Sequence, residues 1–130
     1  MRCPTCKKPN TLRPWVGSET RMGVELIARG DRCEFCGETL FDHEEMGRQE
    51  RLMATGVVAR GIRKANEFRF VRTLTGFKAN EVAAMLDVRP ETVSRWERGE
   101  VEIPRLAAFA LGELYEHPRV VRAKLEAFAR

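Results

Sequence analysis

The stretch from Val71 to Pro104, VRTLTGFKANEVAAMLDVRPETVSRWERGEVEIP, decides the fold of the larger part of the chain. Phe68, Val71 and Leu74 recur at helical spacing, and Gly76 stops the helix they mark. Val82, Ala83, Met85 and Leu86 mark a short second helix. After Leu86-Asp87-Val88-Arg89 comes Pro90, at home in a first helical position because its missing N–H would have no partner there. Val93 and Trp96 then turn inward at i and i+3, and Gly99 ends this third helix. Two short helices joined by such a turn form a helix-turn-helix, with Ala83 as the small residue at their crossing and Val88 as the plug of the turn. The outer face of the third helix carries Glu91, Thr92, Ser94, Arg95 and Arg98, a polar mixture suited to reading base edges. A plain solvated face is the alternative, and the whole pattern weighs against it.

Outward toward the C-terminus, Leu106, Phe109, Ala110 and Leu114 predict a fourth helix, and Pro118, Val121, Leu125 and Phe128 a fifth. Residues 64–130 are therefore expected to be an all-α, five-helix domain for DNA binding and dimerisation. Leu114, Tyr115, Val121, Leu125 and Phe128 offer more apolar surface than one small domain needs, which places the expected homodimer contact in the last two helices.

Outward toward the N-terminus, residues 43–63 read as a connecting helix or hinge. Asp42 can cap its free amides and Glu45 sits at the capping-box position. Met46, Met53 and Val57, with Leu52 beside them, give one narrow apolar stripe, while Gly47, Gly56 and Gly61 weaken the helix. His43 and His117 are the two histidines, and neither is assigned to a metal.

Residues 1–42 are different in kind. All four cysteines fall in the first 36 residues, as Cys3-Pro-Thr-Cys6 and Cys33-Glu-Phe-Cys36 with 26 residues between the pairs. Each Cys-x-x-Cys turn presents two thiolates to one ion, and two such turns at the ends of a hairpin complete a tetrahedral shell. Gly37 supplies the positive φ that turns backbone amides toward the sulfurs. Leu12–Val16 and Gly23–Ala28 are expected strands, separated by a turn at Gly17-Ser18-Glu19. The layout is a zinc ribbon with one structural Zn²⁺ on Cys3, Cys6, Cys33 and Cys36. Disulfides and a redox Cys-x-x-Cys fit less well, for want of an export signal and of a βαβ scaffold. So few residues bury little core, and metal binding is expected to supply the folding free energy. Trp15, Phe35 and Phe41 are expected to pack that miniature core rather than form a binding patch.

Composition sets the outer bounds. A chain of 130 residues, 43% hydrophobic and 32% charged, fits one domain or two small ones and is too apolar for a disordered tail. The longest apolar run, Leu106 to Leu111, is too short for a membrane span, and MRCPTCKKPN has no apolar core segment, so the expected compartment is the cytoplasm. A net charge of +4 does not by itself establish DNA binding. The local balance says more: Arg60, Arg63, Lys64, Arg69, Arg72 and Lys78 face only Glu67 across residues 60–78, a run that can track phosphates or remain a solvated face. No nucleophile–base constellation and no open metal site points to an enzyme.

The Val71–Pro104 stretch resembles the XRE/Cro-like helix-turn-helix family, with SRWERG its most specific segment. The order CPTC…CEFCGE, connecting segment, helix-turn-helix and a final helix beginning near His117-Pro118 resembles the MqsA antitoxin family over nearly the whole chain. That resemblance implies an α+β protein whose N-terminal zinc domain engages a small protein toxin. Its C-terminal domain would dimerise on a palindromic operator and repress its own operon. The four cysteines match the family's zinc ligands one for one, and Arg95 and Glu91 fall at its base-reading positions. Glu91 is acidic where the family often has an amide, which exchanges adenine recognition for acceptance of a hydrogen bond from cytosine. Lys78, Ala79 and Arg89 replace a helix cap, a phosphate-holding amide and a second cap, so the phosphate grip is expected from Lys78, Asn80, Arg89, Ser94 and Arg98. The family's ion pair between the first and third helices would be Arg72 with Glu97. The alternative reading is a stand-alone zinc-containing regulator of the same family without a toxin.

Overall fold

The computed structural model describes residues 1–128, so the last two positions of the expected 64–130 domain lie outside the described residues. The chain is α+β and divides into two compact units, Met1–Thr55 and Gly56–Arg130. The described elements are β1 (Leu12–Arg21), β2 (Val24–Cys33), β3 (Thr39–Leu40), α1 (His43–Arg60), α2 (Ala65–Thr75), α3 (Ala79–Met85), α4 (Pro90–Glu97), α5 (Arg105–Glu116) and α6 (Pro118–Phe128). The division falls inside α1, which runs unbroken through Gly47 and Gly56.

In the first unit the sheet has the order β1-β2-β3, all antiparallel. The strands of the hairpin are longer than the sequence suggested, because the turn is not at Gly17-Ser18-Glu19. It is at Met22-Gly23, between the paired residues Arg21 and Val24. Both turn residues have positive φ, 52° and 73°, the backbone that a two-residue hairpin needs to match strand twist. Gly17 is instead the seat of Trp15: a Cβ at Gly17 would lie 2.2 Å from the indole ring. The Arg32 guanidinium lies over the same ring, 4.1 Å from its centroid.

Leu26 and Ala28 form the buried face of β2, and Met53 and Ala54 are buried on α1. The buried stripe of α1 in this unit is nevertheless partly polar. Glu45 and Gln49 are buried, while Met46 and Leu52, expected on the apolar stripe, are exposed. The reason is a hydrogen-bond clamp. Glu45 Oε2 accepts from the Arg29 amide (3.0 Å), Gln49 Nε2 (2.8 Å) and Arg48 Nη2 (2.8 Å), and Oε1 accepts from Arg48 Nε (2.7 Å). Arg48 also donates to the Ile27 carbonyl, and Arg21 Nη1 to Gln49 Oε1 at 2.7 Å. Among the described residues no buried side-chain nitrogen or oxygen lacks a hydrogen-bond partner. Asp42 caps α1 as expected, accepting from the Glu45 amide at 2.7 Å, but the Glu45 carboxylate is spent on β2 rather than on a capping box.

The second unit packs around Phe68, Val71, Val82, Ala83, Val93, Trp96, Leu111 and Leu114, with Val57 and Ile62 also buried. Phe68 and Trp96 meet edge to face, with centroids 5.7 Å apart. The α5 face differs from expectation. Ala107, Leu111 and Leu114 are buried, whereas Leu106 and Phe109 are exposed at 80% and 65%. This helix has two apolar stripes, and periodicity alone does not say which one meets the core.

Candidate nucleic-acid interface and metal centre

The helix-turn-helix is built by α3, the turn after it, and α4. Ala83 is fully buried at the crossing, and its carbonyl accepts from the Val88 amide at 3.0 Å, so the plug and the small residue are joined through the backbone. Asp87 takes the left-handed conformation at φ 55°, which Asp tolerates better than most residues. The turn Leu86-Asp87-Val88-Arg89 lies where the sequence places it, with Asp87 as its left-handed residue.

The orientation of α4 is fixed from α2. Arg72 Nε and Nη2 donate to the two carboxylate oxygens of Glu97 at 2.6 and 2.9 Å, and its Nη1 donates to the Phe77 carbonyl at 3.0 Å. One guanidinium thus ties α2, the segment before α3 and the end of α4. With that end held, Val93 and Trp96 stay in the core and the opposite side faces solvent.

On that side Glu91, Arg95 and Arg98 are exposed and Thr92 and Ser94 half-buried. The Arg95 side chain makes no hydrogen bond among the described residues, while its carbonyl accepts from the Glu100 amide at 3.0 Å. Arg98 is engaged: its Nη1 donates to Ser94 Oγ at 2.6 Å and its Nη2 to Glu100 at 2.9 Å. Beside the Arg98 guanidinium, the Glu100 carboxyl is held below the usual range. Arg89 precedes α4 and Lys78 precedes α3; both are exposed, as is Asn80, and neither flanking side chain caps its helix. The Lys78 amide is instead answered by Glu81 Oε1 at 2.9 Å.

The basic run of residues 60–78 is smaller in practice than in sequence. Arg60 is committed to Glu67, and Arg72 to Glu97 and Phe77, leaving Arg63, Lys64, Arg69 and Lys78 exposed. Glu67 is 3% exposed. Burial pushes its carboxyl up, but the Arg60 guanidinium and the amides of Arg63 and Lys64 outweigh that and hold it at about 2.

In the first unit the four cysteines come together at the end of the hairpin. Their sulfurs lie within 4.8 Å of one another, with Cys3–Cys36 and Cys6–Cys33 both 3.7 Å apart, and none is in a disulfide. Four sulfurs about 2.3 Å from one tetrahedral ion would be about 3.8 Å apart, so the spacing fits a metal ion such as zinc. The two turns are built alike. The Lys7 amide donates to the Cys3 carbonyl at 2.8 Å, and that of Gly37 to Cys33 at 2.9 Å. The Cys3 amide reaches the Lys8 carbonyl at 3.0 Å, and that of Cys33 reaches Glu38 at 2.9 Å. Lys7 has φ 68° and Gly37 φ 78°, so a lysine fills the left-handed position that was recognised only at the glycine. Alignment of CPTCK with CEFCG was the signal for it.

The four thiols are shifted unequally, Cys3 and Cys33 down and Cys6 and Cys36 up. The Cys36 amide and the Thr11 hydroxyl, 3.5 and 3.1 Å from Cys33 Sγ, lower the Cys33 thiol to about 6. Cys36 goes the other way, to about 12: the Glu38 amide pulls it down, but lost water and the neighbouring sulfurs prevail. Thiolates this close repel one another, and a divalent cation among them removes that penalty. Four thiolates would leave the ion no open position for a substrate.

Phe35, expected in the core, is 62% exposed and lies under Lys8, whose Nζ is 3.8 Å from its ring centroid. Its place between Cys33 and Cys36, on a turn whose inner side belongs to the sulfurs, leaves the ring only the outside. Trp15 and Phe41 are half-buried.

Comparison with known proteins adds one finding. Residues 69–116 match the family model described as helix-turn-helix, which covers the second half of α2 together with α3, α4 and α5. This segment is an XRE-type helix-turn-helix domain, the module of DNA-binding regulators. No curated protein matches the chain. Among the described residues no helix is long and apolar enough to cross a membrane.

Proposed function

We propose that this protein is a sequence-specific transcriptional repressor that binds a palindromic operator in double-stranded DNA as a homodimer. The observation that carries the reading is the exposed face of α4, anchored from behind by Arg72 and Glu97. In this reading Glu91, Thr92 and Arg95 meet base edges in the major groove, with Arg95 the strongest contact because a guanidinium pairs with guanine through two hydrogen bonds. Lys78, Asn80, Arg89, Ser94 and Arg98 hold phosphates. Arg98 gives up an exposed ion pair of little worth to do so. Two copies of α4 then enter successive major grooves about 34 Å apart.

The metal-bound unit, with one structural Zn²⁺ on Cys3, Cys6, Cys33 and Cys36, serves a second client. We assign that client as a small protein toxin, which makes the chain the antitoxin of a type II toxin–antitoxin pair in the cytoplasm. The order of parts supports this: paired Cys-x-x-Cys turns, a helix, then the helix-turn-helix, as in the MqsA antitoxin family. The confinement of the family match to residues 69–116 favours a second reading, a stand-alone zinc-containing regulator. Copurification with the product of the adjacent gene, followed by a gel-shift assay on the shared upstream DNA, tests both. A shifted palindrome with a copurified small protein supports the antitoxin, a shifted palindrome alone the stand-alone regulator. Failure to shift any upstream DNA overturns the repressor.

A further inference from the structure

The outward stripe of α5 and the groove beside it form a self-complementary surface, and we propose that a second copy of this chain docks there across a two-fold axis passing near Phe109. The proposal rests on the homodimer just inferred and gives it a surface. Leu114, one of the residues first expected at the contact, is 2% exposed and belongs to the domain's own core. The apolar residues left over on α5 are Leu106 and Phe109, with Val101 before the helix 48% exposed.

Next to them lies an open groove of about 1010 Å³, whose lining includes Val58, Ile62, Arg105, Phe109, Gly112 and Glu113. Gly112 is buried beside it, and the space a Cβ would take there is already filled by Val58, whose Cγ1 would lie 3.2 Å away.

A two-fold axis at Phe109 packs the two copies of α5 antiparallel, so a residue before Phe109 faces one equally far after it. Arg105, four positions before, then faces Glu113 of the second copy, four positions after, and the same pair forms again on the other side of the axis. Leu106, three before, faces Gly112, three after. The two Phe109 rings meet at the centre, where aromatic pairs add to simple burial. Neither Arg105 nor Glu113 has a side-chain hydrogen bond or ion pair among the described residues. Glu102 and Glu116 would also face each other, but Glu102 precedes the helix, and Arg63 lines the same groove as a counter-charge. Charge and apolar content agree on one register.

Sedimentation equilibrium on the full zinc-loaded chain tests this. Arg105→Glu sets two glutamates against each other at both ends of the contact, and it should raise the dimer dissociation constant by about tenfold or more. Glu113→Arg should do the same, and the double reversal should restore the wild-type constant. Phe109→Asp, at an exposed position outside the domain's own core, should give folded monomer. A dimer whose constant is indifferent to all four variants overturns this surface and leaves the homodimer standing. A double reversal no tighter than the single ones overturns the antiparallel register. A wild-type chain that is monomeric at every concentration overturns the homodimer and this surface together.

Discussion

The guanidinium of Arg72 grips both carboxylate oxygens of Glu97 while its remaining nitrogen holds the Phe77 carbonyl, so the helix that faces outward is positioned by a pair that faces inward. Both side chains are mostly shielded, at 15% and 9% exposure. Removing one partner leaves the other charge unanswered in the protein. Glu97→Gln and Arg72→Ala should each cost about 3 kcal/mol of stability, read as a shift of the urea midpoint at constant slope. Replacing both by apolar residues of similar volume should cost much less. If Glu97→Gln leaves the midpoint unchanged, α4 is held by its core contacts alone.

Arg95 and Lys78 separate two kinds of contact. Arg95→Ala should weaken operator binding by about 1–3 kcal/mol and flatten the preference for operator over unrelated DNA. Lys78→Ala should weaken both DNAs alike and lower the salt slope by about one. Fluorescence anisotropy titrations over a range of salt concentrations give both numbers. Equal losses on specific and unrelated DNA for Arg95→Ala would move base reading elsewhere on α4.

Removal of the metal should undo the hairpin. With four thiolates as the donor set, chelation or Cys33→Ser is expected to abolish hydrogen-exchange protection of the Leu12–Cys33 amides. Re-addition of Zn²⁺ should restore it after chelation and fail to do so in Cys33→Ser. Stoichiometry by metal-release colorimetry should be one ion per chain. Protection that survives complete chelation would make the sheet and α1 sufficient without an ion.

These outcomes trace back unevenly to the sequence. The helix-turn-helix was legible because Pro90, Gly99 and the Val93/Trp96 spacing are local signals that agree with one another. The cysteine cluster was legible for the same reason, since the ligand spacing is set by a five-residue turn. What the sequence hid are choices that depend on what lies opposite. Glu45 looked like a capping residue and is a buried anchor, because the Arg29 amide on β2 needed an acceptor. Leu106 and Phe109 looked like core, yet Ala107 and Leu111 fill that space. The hairpin turn was misplaced because Gly17 is small for the sake of the Trp15 ring rather than for a bend. Met22 carries no turn signal at all.

Glu67 turns this second kind of residue into a pH dependence. Its carboxyl titrates at about 2 in the folded chain against an ordinary value of 4.5, because the Arg60 guanidinium and two backbone amides overcome the effect of burial. Between those values the unfolded chain binds the proton and the folded chain does not, so stability rises with pH across this window. The contribution is complete above about pH 5 and is lost as the pH falls toward 2; for a shift of this size it is on the order of 3 kcal/mol. Glu45, also held at about 2, chiefly by Arg48, repeats the behaviour in the first unit. The two are separable by probe. Trp96 fluorescence in a Trp15→Phe background reports the core beside Phe68, next in sequence to Glu67. Urea midpoints from that probe should hold from about pH 7 to 5 and then drop, with Glu67→Gln starting lower and losing less on acidification. A Glu67→Gln curve parallel to wild type across that range would mean that the carboxylate is not ionised against Arg60 in the folded chain.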